Sequence, residues 1–145
     1  MSNLISPFQI KRNSVVAYEI HQSETIQEYE SASVSLGADY KISDINKENE
    51  RLDARVDLFI VLLGKTNNDE TVFEIKLNMM GIFEGNSEQI SYEKFSDMLK
   101  INGLSTLMQL SRAYVTATTS LSGFSNPINF PMVNVFELIK WKESK

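Results

Sequence analysis

The chain contains no cysteine, a single histidine, a single tryptophan and only three prolines among 145 residues. Without cysteine there can be no disulfide, thiol nucleophile, iron–sulfur cluster or thiolate zinc site. One histidine, His21, leaves no histidine-rich metal site and makes a Ser–His–Asp triad a poor fit, since no Gly-x-Ser-x-Gly elbow accompanies it. The six glycines are scattered, and none forms a phosphate-cradling loop followed by Lys-Ser or Lys-Thr. Basic residues are outnumbered, 14 against 19 acidic, for a net charge of −5, and they are interleaved with acids rather than grouped. No stripe for a nucleic-acid backbone results, and nucleic acid is not an expected partner. Long apolar runs are missing too. The longest, residues 58–63, falls far short of the roughly 20 residues that span a bilayer. Residues 1–9 lack the basic and apolar regions of a signal peptide, so a cytoplasmic location and no membrane insertion are expected.

What is present reads as globular, with 42% hydrophobic and 23% charged residues. At 145 residues one domain, spanning residues 1–145, is expected, large enough for a core without staples. Period-2 alternation dominates the first two thirds. It runs through Phe8, Ile10, Val16, Tyr18 and Ile20, with a bulge or break expected over the polar residues 11–14. A second run, Ala32, Val34, Leu36, Ala38, Tyr40 and Ile42, carries Ser33, Ser35 and Asp39 on its other face, which leaves that face low and coverable. Residues 44–51 read as a charged loop. A third strand, residues 52–65, alternates cleanly and then turns apolar on both faces at Phe59, Val61 and Leu63, predicting cover on both sides. Thr66-Asn67-Asn68-Asp69-Glu70 has turn chemistry, so this strand and the next, residues 71–83, form a hairpin.

After Gly85 the period becomes helical. Ser91 is a candidate N-cap of a short helix that Asn102-Gly103 is expected to interrupt, and a long helix is predicted over residues 104–121. A connector with Pro127 and Pro131 precedes a short amphipathic helix over residues 134–142, presenting Val135, Phe136, Leu138 and Ile139. The fold class is therefore α+β: a four-stranded antiparallel sheet, a long helix and a short C-terminal helix. Six methionines, including Met79-Met80, add adaptable apolar surface, although each one is by itself an ordinary core residue. Arg112 is the least bland charge, set in an otherwise apolar helix; it either reaches the rim or pairs across a subunit contact.

Four segments, in order and spanning nearly the whole chain, carry a family resemblance. Phe8-Gln9-Ile10-Lys11-Arg12 resembles the opening strand of SecB, the protein-export chaperone, and residues 72–83, ending in Gly81-Ile82-Phe83, are similar to its Gly-Ile-Phe strand. Leu107-Met108-Gln109-Leu110-Ser111-Arg112 is similar to the start of its long helix, and residues 127–134 to its proline-bearing connector ending in Val-Asn. The resemblance implies an ATP-independent holdase, assembled as a dimer of dimers, that keeps unfolded polypeptide clients soluble in apolar grooves for protein export. It implies no catalysis and no cofactor. Carried over by position, Val34, Leu36 and Ala38 line the groove, while Ile26, Tyr29, Val135, Phe136 and Ile139 wall and lid it. The long helix and first strand build subunit contacts. SecA is the further partner in export; an antitoxin is the partner in the SecB-like chaperones of toxin–antitoxin systems.

The surface that binds SecA is acidic in the export chaperones. Here its positions fall on Ala17, His21 and Lys76, with Glu19 and Glu74 nearby as the remaining candidate partner surface. Two other classes compete: a dedicated single-partner interaction protein on the same fold, and a hotdog-like thioesterase or dehydratase using Asp97 as its carboxylate.

Overall fold

The computed structural model describes residues 4–23, 33–122, 128 and 130–145. Five strands form one antiparallel sheet: β1 (Phe8–Gln22), β2 (Ser33–Ile42), β3 (Asn46–Glu48), β4 (Arg51–Lys65) and β5 (Thr71–Asn86). Their order is β1-β5-β4-β2, with β3 pairing the start of β4. The expected hairpin is β4–β5, which pairs from Arg51↔Asn86 to Lys65↔Thr71 around a turn where Asp69 takes a positive φ of 63°. The charged segment expected as loop is partly strand. Glu48-Asn49-Glu50-Arg51 turns tightly, with Asn49 at φ 56°, and Asn46 to Glu48 fold back on β4. Period-2 burial gives no warning of so short, wholly exposed an edge strand. β1 runs unbroken through the polar stretch, absorbing one register shift between Ile10 and Arg12 and a second between Val15 and Ala17. Bulges bend a strand without ending it.

Cross-strand pairs share a face, so register sorts the side chains. Leu52, Ala54, Val56, Leu58, Ile60 and Leu62 of β4 lie beside Ile75, Leu77, Met79 and Phe83 of β5, all buried. The same face of β1 presents Phe8, Ile10, Val15, Tyr18 and Ile20, and that of β2 Val34, Leu36, Ala38 and Tyr40. Three helical segments cover this one face. Helix α1 (Tyr92–Met98) starts where Ser91 Oγ accepts from Lys94 N at 3.1 Å, as its N-cap chemistry predicts. The expected interruption at Asn102-Gly103 is instead a π turn, Leu99–Gly103, that runs straight into α2 (Leu104–Leu121). Ser105 and Thr106 hydroxyls donate back to the Ile101 and Asn102 carbonyls, at 2.6 and 2.8 Å, so the wider turn leaves those acceptors satisfied. Phe95, Leu99, Leu104, Leu107 and Val115 are the fully buried side that meets the sheet. Helix α3 (Val135–Glu143) follows the connector, whose Ile128 and Phe130 are buried.

The opposite sheet face departs from expectation. Phe59, Val61 and Leu63 do point away from the helices, but no helix among the described residues covers them, and Phe59 is 39% exposed. Beside them on β2 stand Ser33, Ser35 and Gly37; a Cβ on Gly37 would meet nothing.

Candidate functional site

On the helical side, β2 is the outer strand of the sheet, and α1 and α2 do not reach over it. Val34, Leu36 and Ala38, at i, i+2 and i+4, therefore stay only half-buried on an apolar shelf. Helix α3 stands beside that shelf. Its Asn134, Glu137, Leu138 and Trp141 follow i, i+3, i+4, i+7 spacing and so face one way. With Pro131, Met132 and Val133 of the connector they close a groove of about 510 Å³, open to solvent, its lining apolar but for Asn134 and Glu137.

Several weak ties hold α3 in place. Asn134 Oδ1 accepts from Glu137 N at 3.2 Å and caps the helix. Val135 and Leu138 are its buried side chains. At the far end Lys142 Nζ meets Asp39 Oδ1 at 2.7 Å and lies 5.7 Å from the Tyr40 ring, and Lys100 Nζ of the π turn meets Glu143 Oε1 at 2.9 Å. The Lys142 hydrogen bond, aided by the Tyr40 amide, holds the Asp39 carboxyl below its usual range. Glu143 likewise raises the Lys100 ammonium. Burial raises the Tyr40 phenol. Both ion pairs are about half exposed, so each contributes only about 0–1 kcal/mol.

The candidate residues named from sequence separate on this geometry. Val34, Leu36 and Ala38 come together in the groove. Val135 is buried at the helix root, Ile139 packs on the core, and Phe136, 64% exposed, points away from the groove. Ile26 and Tyr29 lie outside the described residues. Sequence reasoning did not single out Met132, Val133, Leu138 or Trp141 as lining. The signal was there: Asn134 as N-cap fixes where the helix begins, and Leu138 and Trp141 then share its face.

Glu19, Glu74 and Lys76 sit together on the outer face of the sheet, where Glu19 pairs Lys76 and His21 pairs Glu74 in register. Lys76 Nζ is 3.6 Å from Glu74 Oε1 and His21 Nε2 is 3.8 Å from Glu19 Oε2, a patch of alternating sign. Asp97 is exposed on α1 and lines none of the concavities described here. His21 is exposed, its Nε2 facing Glu19. A second concavity of about 510 Å³ at the end of the sheet is polar, and its charges already face one another, Lys11 to Glu84 and Arg51 to Glu48. It offers no apolar floor, and the groove is the better site. No group of three or more metal-ligating side chains gathers among the described residues, and no helix there is long and apolar enough to cross a membrane.

No protein-family model matches this sequence, and no curated protein does. Solved structures do. A Mycobacterium tuberculosis SecB-like chaperone, Rv1957, in complex with a ChAD peptide from the Rv1956 HigA1 antitoxin, superposes with a TM-score of 0.60 at 11% identity, over 88% of this chain and 91% of that one. A Streptococcus agalactiae protein of unknown function gives 0.51 at 9% identity, over 86% and 97%. The likeness is one of fold, and the fold is SecB-like, with β3 as an added fifth strand. The matched protein whose role is stated is a chaperone rather than an enzyme.

Proposed function

From a SecB-like chaperone fold, we propose that this chain is an ATP-independent holdase that captures non-native polypeptide in the groove between β2 and α3. The observation that carries this reading is the open apolar lining itself: half-buried Val34, Leu36 and Ala38 facing Leu138 and Trp141 across a solvent-filled trough. Grooved apolar surface rimmed by polar groups is the form in which soluble proteins keep binding surface available. Among the described residues β2 pairs only with β4, so a client backbone can pair with its other edge while alternate side chains enter the trough. Nothing in this mechanism needs a nucleophile, a metal or a cofactor. The working unit is a single SecB-like domain over residues 1–145, acting in the cytoplasm as a homo-oligomer, a dimer of dimers. Phe59, Val61 and Leu63, over which no helix lies among the described residues, and the small residues on the outer side of α2 supply surface for subunit contacts.

The partner is better supported as an antitoxin-like segment than as the export machinery. The Rv1957 structure holds an antitoxin peptide, whereas the outer sheet face here alternates Glu19, Lys76, Glu74 and His21 instead of presenting an acidic field for SecA. The test is light scattering from a refolding client without ATP: the protein at substoichiometric amount suppresses it. Unchanged scattering, with one partner captured and no other client protected, would replace the holdase by a dedicated single-partner protein.

A further inference from the structure

Residues 130–133 carry Pro131, Met132 and Val133 into the groove lining, yet they belong to no helix or strand. Among the described residues no backbone-to-backbone hydrogen bond reaches them. The hydrogen bond to their backbone among the described residues comes from a side chain on another element: Arg112 Nη2, halfway along α2, donates to the Pro131 carbonyl at 3.4 Å. The same guanidinium lies over Phe130, its Cζ 5.6 Å from the ring centroid, and Phe130 is buried. An arginine free to reach water keeps its head solvated and buries only its stem. Arg112 is only half-buried, yet its Nε is withdrawn from solvent and finds no hydrogen-bond partner among the described residues. A half-buried cation with an unpaired N–H is held where it is by the contacts it does make.

We propose that Arg112 is the positioning residue of the groove: it clamps the connector by carbonyl and ring at once, and so sets where Pro131, Met132 and Val133 stand relative to β2. The clamp also fixes the start of α3, because Asn134, the helix cap, follows directly. A planar fork that can stack and donate together suits this task, and a lysine point charge does not. The functional part of this assignment rests on the client-binding reading above; the geometric part does not.

Trp141 is the sole tryptophan and lines the groove, so its emission reports on the site without any client. Arg112→Met keeps the apolar stem and removes the fork; Arg112→Lys restores charge alone. Acrylamide quenching of Trp141 and the affinity of a dye-labelled extended apolar peptide are measured for both, beside far-UV circular dichroism. Arg112→Met should increase quenching and weaken peptide binding about five-fold, and Arg112→Lys should recover only part of either. Tyr18→Phe removes the Tyr18–Thr118 hydrogen bond at the far edge of the sheet and serves as a control: it lowers Tm without moving either readout. Quenching in Arg112→Met equal to that of the unaltered chain overturns the clamp, as does an equal change in Tyr18→Phe. Should Arg112→Met not fold, Arg112→Lys decides: faster hydrogen exchange at Glu137 and Leu138, whose amides bond to Asn134, is expected, and slower or unchanged exchange there overturns the clamp. Increased quenching in a chain that never bound the peptide leaves the clamp standing and sinks the client reading.

Discussion

Placing a carboxylate on the groove floor should abolish client capture while leaving the fold intact. Leu36 is half-buried, opposite Leu62 in the register, with its outer side open to the trough. A bound client would cover that remaining side, which is worth about 1 kcal/mol, and Leu36→Asp forfeits it. The new carboxylate would also have to lose water against apolar client atoms, at a further cost of about 2 kcal/mol. The sum, about 3 kcal/mol, corresponds to a roughly 150-fold weaker Kd. In the unbound chain the same carboxylate can stay hydrated on the open side, so only the packing of Leu36 on the core is lost, about 1 kcal/mol, and the chain should remain folded with a modestly lower Tm. Phe136→Asp is the internal control. At 64% exposed and turned from the groove, it should change Kd less than about 2-fold. Fluorescence anisotropy with a labelled apolar peptide measures both variants, with circular dichroism as the check on folding. Equal losses from the two substitutions, or none from Leu36→Asp, would refute the placement of the site.

Acid should loosen α3. The Asp39 carboxyl is held low by Lys142, so its contribution is fully present above the unfolded value near pH 4 and is lost as pH falls through the lower folded value. Because the pair is about half exposed, the loss is below about 1 kcal/mol, visible as a Trp141 emission change as pH falls below the unfolded carboxylate value, which Asp39→Asn removes. Within the sheet, Gly64 pairs with Phe73, whose ring lies where a Cβ would stand. Gly64→Ala should cost about 1–3 kcal/mol in urea unfolding, and Phe73→Leu in the same chain should recover part of it, a non-additivity that independent effects would not produce.

The strands, the hairpin, the Ser91 cap and the helical order were legible because period and capping are local properties. Leu52 to Leu62 alternate, and the buried residues are the ones the alternation names. The phase of α3 was not legible. Val135, Phe136, Leu138, Ile139 and Trp141 place apolar side chains most of the way around nine residues, so hydrophobicity alone assigns no unique inner face. Tertiary packing chose: Val135 and Leu138 went inward, Trp141 to the trough and Phe136 outward. Arg112 stood out in the sequence as an odd charge, but its partner is a backbone carbonyl, which every residue possesses, and no pattern of side chains could identify it. The Phe59 row faces away from the helices, and no helix among the described residues supplies the cover expected for it, because what lies over a sheet face is not a property of one strand's alternation.

The π turn has a consequence for how this chain can change length. It holds one residue more than uniform α-helical winding would need between Phe95 and Leu107, and that surplus is taken up with Asn102 turned outward to water. Loss of that residue would tighten the winding instead of rotating the two halves against each other, so both would keep their grip on the sheet. A splice between Met108 and Val115 would instead swing one of these buried residues about 100° around the helix relative to the other. Shortening by one should therefore be better tolerated at this joint than between the buried residues of α2.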